Sequence, residues 1–217
     1  MAGRAAGAGG DVAFSAGTVE GSGASALRSD RRLARGAHTR LTIIEGMIAL
    51  IESGNVHPTT EQIADRSGVS RRLVHYHFHS VDALFLAAAS LHAMRYRPLI
   101  TVVPSRGPLE VRIRAICRQR RQLFEAMAPV HRAAHIRIHA VVGLERLLDD
   151  HRSLLHAQLA AALAPEIHAR GDEGAALLEA LDLATGWEYW FALRERGRHS
   201  PPSAERAIIF AVASLLR

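Results

Sequence analysis

Thr59-Thr60-Glu61-Gln62-Ile63-Ala64-Asp65-Arg66-Ser67-Gly68-Val69-Ser70-Arg71-Arg72-Leu73-Val74-His75-Tyr76-His77-Phe78 decides the fold. Thr59 is placed to cap a helix, and Gln62 three residues later completes a capping box. Ile63 and Ala64 supply the inward face of that helix. Gly68 falls where a helix C-terminus takes a left-handed residue, and Ser70 is placed to cap a second helix. In that second helix Leu73, Val74 and Phe78 recur at helical spacing, which leaves Arg71, Arg72, His75 and Tyr76 outside. Two short helices joined by a glycine turn, the second with a basic and aromatic outer face, make a helix-turn-helix.

Thr59, Ile63-Ala64, Gly68-Val69-Ser70 and Val74-His75-Tyr76-His77-Phe78 together resemble the DNA-binding signature of the TetR family of bacterial transcriptional regulators. Three positions depart from its usual pattern. His75 stands for the usual Tyr, Val74 for the usual Leu, and Val81 for a Lys that contacts phosphate. The resemblance implies a dimer whose two recognition helices enter successive major grooves. It also implies an effector domain that releases DNA when a small molecule binds. Thr59, Thr60, Ser70, Arg71, Arg72, His75, Tyr76 and His77 then become DNA-facing candidates, with Arg40 on the preceding helix.

Outward from this unit the chain reads as all-α, about nine helices in two domains. Residues 1–36 are Gly-, Ala-, Ser- and Arg-rich without apolar period and read as a disordered basic tail. Its end holds Arg28, Arg31, Arg32 and Arg35, a solvated run or an arm on DNA phosphates. Residues 37–82 read as the helix-turn-helix domain, opening with a helix over 37–53 whose seam is Leu41, Ile44, Ile48 and Ile51. Residues 83–217 read as the effector and dimerisation domain. After a helix over 80–96, periodicity and the proline positions predict helices over 109–127, 130–140, 142–163, 172–196 and 203–216. Pro129 is expected to separate the second and third of these.

The helix over 172–196 is apolar nearly all round, and residues 207–213 are apolar on every side. Such helices are buried on more than one face. The resemblance implies a four-helix dimer interface there, with Leu181, Trp190, Ile208, Ile209 and Val212 as its candidates; the central helix of a monomer is the other reading. Arg120, His151 and Gln158 interrupt apolar seams and need partners. A ligand between helices, with Trp187 on the wall, or another side chain would supply them.

Composition agrees. Apolar residues are 48% and aromatics 5% of the 217-residue chain, which suits Ala-, Leu- and Ile-packed helices. Net charge is +6 and every one of the 27 basic residues is Arg. GC-rich coding also produces that excess, so the clustering of Arg says more than its total. Cys117 is the single cysteine, so no intrachain disulfide forms and a reducing cytoplasm is expected. No apolar run reaches the ~18 residues of a membrane span. No phosphate loop, nucleophile elbow or zinc-protease motif is present, so no enzyme and no cofactor are expected. His131, His135 and His139 share a helix face at ligand spacing, but arginines flank them and no Cys or acidic partner lies close in sequence; no metal is expected. The reading is a ligand-responsive, DNA-binding dimer, most readily a repressor released by a small apolar effector. The alternative is a helical small-molecule-binding or structural dimer without specific DNA binding.

Overall fold

Apolar residues at helical spacing organise the two cores of the computed structural model, which describes the backbone of residues 20–217 and the side chains from residue 31. The expectations for residues 1–19 and for the Arg28 side chain fall outside the described residues. All regular structure among the described residues is helical, with no strand.

The chain divides into two units, Met1–Arg40 and Leu41–Arg217. The described part of the first is the leading portion of α1 (Glu20–Glu52). This corrects the expected helix start near Ala37: residues 20–36 are helical. Ala, Leu and Arg between residues 24 and 35 are strong helix formers. Arg31, Arg32, Leu33, Ala34 and Arg35 are exposed, so these five side chains leave no apolar period. The turns are reinforced by Arg35 Nε donating to the Arg31 carbonyl (3.2 Å) and Thr39 Oγ1 donating to that of Arg35 (3.0 Å).

In the second unit the rest of α1 buries Ile43, Ile44, Met47, Ile48 and Ile51, while Leu41 is exposed rather than on the expected seam. Helices α2 (Thr60–Ser67) and α3 (Arg71–His77) close on that face through Ile63, Ala64, Val74 and Phe78. α4 (Val81–Tyr96) joins the same cluster through Leu84, Phe85 and Ala88.

α5 (Leu109–Arg137) runs unbroken through Pro129, against expectation. A proline removes one helix N–H and crowds the turn before it. Here Met127, Val130, Ala133 and Ala134 are buried on both sides, and that packing holds the helix together. α6 (Leu144–Ala162) follows Gly143, whose φ of 88° is left-handed. α7 (Ala164–Ala169) was not expected, because Pro165 looked like a stop; it sits in the first turn, where a missing N–H costs little.

The helix expected over 172–196 is two pieces, α8 (Gly174–Thr185) and α9 (Trp187–Phe191), parted by extended Gly186 (ψ 171°). α9 continues as the π-helical segment Ala192–Arg196. α10 (Pro201–Leu215) starts at its prolines rather than at Ser203. A second apolar cluster joins α5, α6, α8, α9 and α10 around Ile116, Phe124, Leu159 and Trp190.

This cluster corrects the expected dimer residues. Leu181, Ile208 and Val212 are wholly inaccessible and Trp190 nearly so, all within this chain's own core. The indole Nε1 of Trp190 donates to Glu125 Oε1 (3.2 Å) in the same chain. Only Ile209 of the five is half-buried. The all-round apolarity was real, but the faces left open carry Leu183 (64% exposed) and Phe210 (70%).

Candidate nucleic-acid interface and interior cavity

The turn between α2 and α3 is fixed by local chemistry. Thr59 Oγ1 accepts from the Gln62 backbone N–H (3.3 Å), and Gln62 Oε1 accepts from that of Thr59 (2.9 Å). Asn55 Nδ2 donates to the same Gln62 oxygen (3.0 Å). Gly68 takes φ 66° and ψ 30°, and Ser70 Oγ accepts from the Leu73 N–H (3.2 Å). Gly46 on α1 meets this unit so closely that a Cβ there would lie 2.1 Å from Ser67 Oγ.

The scaffold leaves one face of α3 in solvent. Arg71, Arg72 and His75 are exposed and Tyr76 is 80% exposed. His77 is half-buried, edge-on to Tyr76 with ring centroids 5.2 Å apart. Thr60 is half-buried at the start of α2, and Thr59 and Ser70 serve as caps. Arg40 is exposed in the first unit. Val81, at the departure from the usual Lys, is half-buried and packs on the first cluster.

Between α5, α6, α8 and α9 lies a cavity of about 190 Å³. Arg120, His151 and Trp187 line it, as do Phe124, His131, His135, Asp182 and Thr185. Gln158 does not line it but holds Arg120. Arg120 Nη1 donates to Gln158 Oε1 (2.8 Å) and Gln119 Oε1 (3.1 Å), and Nη2 donates to the Leu155 carbonyl (3.0 Å). Side-chain and backbone partners therefore answer part of what the seam required. Burial lowers the Arg120 guanidinium to about 10, so it stays charged at neutral pH.

The histidines on the wall are all shifted towards the neutral form. Burial, then the charge of Arg120, lowers His151 to about 4, and its Nε2 is buried without a hydrogen-bond partner. His131 is lowered well below its usual value by burial and then by its neighbouring histidines; burial also lowers His135. Their Nε2 atoms lie 3.2 Å apart, and Trp187 packs edge-on to His131 at 4.5 Å. His139, the third of the sequence ladder, is exposed. Among the described residues no group of three or more His, Cys, Asp or Glu is placed to hold a metal ion. Cys117 is buried, and burial raises its thiol to about 12.

Phe124, Thr185 and Asp182 are among the wall residues that escaped the sequence reading. Phe124 looks like ordinary core. Thr185 hides its hydroxyl in a bond to the Leu181 carbonyl (2.9 Å). Asp182 had a signal, an acid inside an apolar helix; it is buried with Arg152 at 3.3 Å and His156 at 3.6 Å.

Residues 43–88 match the model for bacterial regulatory proteins of the TetR family. The chain carries a TetR-family DNA-binding domain. A TetR-family chain from Streptomyces coelicolor is 18% identical with a TM-score of 0.62, covering 82% of this chain and 80% of that one. A transcriptional regulator from Rhodococcus sp. Rha1 superposes with a TM-score of 0.65 at 19% identity, over 82% of this chain and 95% of its own. A third structure, from Mesorhizobium loti and described as TetR-family, gives 0.56 at 19%, over 84% and 96%. At that identity the TetR likeness of the C-terminal helices is one of fold. The search of curated proteins finds no match. No helix among the described residues is long and apolar enough to cross a membrane.

Proposed function

We propose that this protein is a cytoplasmic transcriptional repressor, a homodimer that binds a near-palindromic operator and leaves it when a small, largely apolar molecule fills the cavity. The observation that carries this reading is the outer face of α3. Arg71, Arg72, His75 and Tyr76 stand in solvent while Val74 and Phe78 anchor the helix from behind. Residues at the start of a recognition helix meet base edges, so Arg71 and Arg72 read sequence. Thr60, His75 and Tyr76 hold phosphates, which positions the helix without reading bases.

Dimerisation falls to the outer faces of α8 and α10, where Leu183, Ile209 and Phe210 remain open. Release is a population shift: an effector that favours a conformer whose two α3 helices misfit the operator lowers DNA affinity. A route for it exists in α5. His131, His135 and Ile138 line the cavity, and Arg137 between them pairs with Asp82 and lies 4.4 Å over the Phe85 ring, both on α4.

One observation favours the alternative, a ligand-binding dimer without specific DNA binding: Val81 packs inward where a phosphate-contacting Lys is usual. A missing contact lowers the salt slope by only about 0.9 and leaves base readout intact. Gel shifts against the DNA upstream of the protein's own gene decide between the two. The intact chain should select a site, and Arg71→Ala with Arg72→Ala should lose that preference, each guanine contact contributing ~1–3 kcal/mol. Equal binding to all sequences by the unaltered chain overturns the repressor.

A further inference from the structure

We infer that the cavity takes a monocarboxylate on a single flat ring, its carboxylate bridging Arg120 and His151 and its ring lying among Trp187, Phe124 and Leu155. The inference rests on the reading of this cavity as the effector site and deepens it.

Charge comes first. Arg120 is 1% exposed and makes no ion pair; the buried acid Asp182, on the same wall, supports its charge from outside contact distance. Its three bonded acceptors, Gln119, Gln158 and Leu155, are all neutral oxygens. A buried cation whose nearest acid stays out of contact is costly, and an anion that enters with the ligand and touches it reduces that cost. Guanidinium has five N–H donors. The bonds made use both hydrogens of Nη1 and one of Nη2, which leaves Nε–H and one Nη2–H. Two such donors suit the two oxygens of a carboxylate. His151 lines the same wall; its unpartnered Nε2 is closed off from the cavity space, and becomes a third donor once the ring turns towards the carboxylate in the tautomer that protonates it.

The acids on the wall are already answered. Asp182 sits between Arg152 and His156, and Asp149 and Glu188 are solvent-exposed. A cationic ligand would meet the charge of Arg120 and have to compete with Arg152 and His156 for Asp182. Size sets the rest. A cavity of about 150 Å³ holds benzene, so about 190 Å³ holds one ring and a carboxylate. Trp187 and Phe124, edge-on at 5.7 Å, present aromatic walls to that ring.

Benzoate, benzamide, benzyl alcohol and benzylamine separate these statements, titrated into the full-length protein and followed by calorimetry and thermal shift. Benzoate should bind about ten- to a hundredfold more tightly than benzamide, the effect of a charge-assisted pair over neutral hydrogen bonds. Arg120→Met should erase the preference; if that variant fails to fold, His151→Phe, which fills the same wall, should still lower benzoate affinity. Benzamide or benzylamine binding as well as benzoate overturns the carboxylate while leaving the cavity as an effector site. If none of the four binds at millimolar concentration, the carboxylate inference falls. Operator release by an unrelated compound that Leu155→Trp, which blocks the cavity, does not abolish would remove the effector reading itself.

Discussion

His92 is 3% exposed, with its Nε2 lacking a hydrogen-bond partner and Glu52 Oε1 3.9 Å away. Burial lowers it from 6.5 to about 4. In that interval the unfolded chain binds a proton that the folded chain refuses, so stability falls as pH drops from about 6.5 towards 4 and is unaffected above. His151 is displaced to the same value and adds to the effect. A fully expressed displacement of this size is worth about 3 kcal/mol per histidine. Melting temperature should therefore drop steeply between pH 6.5 and 4.5, and His92→Gln should flatten the slope without abolishing it. Identical slopes in the two proteins would show that His92 is not held neutral. At this scale legibility follows range. Thr59, Gly68 and Ser70 were readable because their partners are within three or four residues. The partners of Arg120 come from residue 119 and from 155 and 158 on another helix, so the sequence announced the need and not the answer.

Helices α8 and α10 separate what a chain keeps for itself from what it offers. Ile208 and Val212 are wholly buried while Phe210, two residues from each, is 70% exposed. The apolar count along such a helix is legible, but which stripe the chain's own core occupies depends on α5, α6 and α9 packing from elsewhere. Proline misled in both directions for the same reason. Pro129 lies in a helix that its packed flanks hold together, and Pro165 and Pro201 sit in first turns where no N–H is wanted. Two substitutions on one helix test the division. Ile208→Asp places an unpaired charge in the core and should abolish cooperative melting, a loss above ~4 kcal/mol. Phe210→Arg with Leu183→Arg should leave helicity and melting nearly intact, yet sediment as monomer at micromolar concentration. A double variant that stays dimeric would place the interface on another face.

At the scale of the whole molecule the two apolar clusters are joined by α5, which contributes Val130, Ala133 and Ala134 to one and Ile116, Phe124 and Met127 to the other. The helix-turn-helix packs on the first cluster and the cavity opens into the second, so α5 is the element common to both. Its last turn ends on Arg137, buried, paired with Asp82 and stacked over Phe85 at the start of α4, the helix that directly follows α3. Asp82 is exposed, so the pair by itself stabilises little; its value lies in fixing where α4 begins relative to α5. Allosteric coupling of this kind is typically ~1–3 kcal/mol, a change of about five- to 150-fold in operator affinity. Arg137→Met removes both the ion pair and the guanidinium over Phe85, and Asp82→Asn removes the ion pair alone. If the pair transmits the signal, each variant should bind benzoate as the parent does but lose most of the drop in operator affinity that benzoate causes. The two changes together should do no more than Arg137→Met alone, because that variant already lacks the interaction that Asp82→Asn deletes. Additive losses, or a full benzoate response in either single variant, would assign the transmission to the packed faces of α4 and α5 instead.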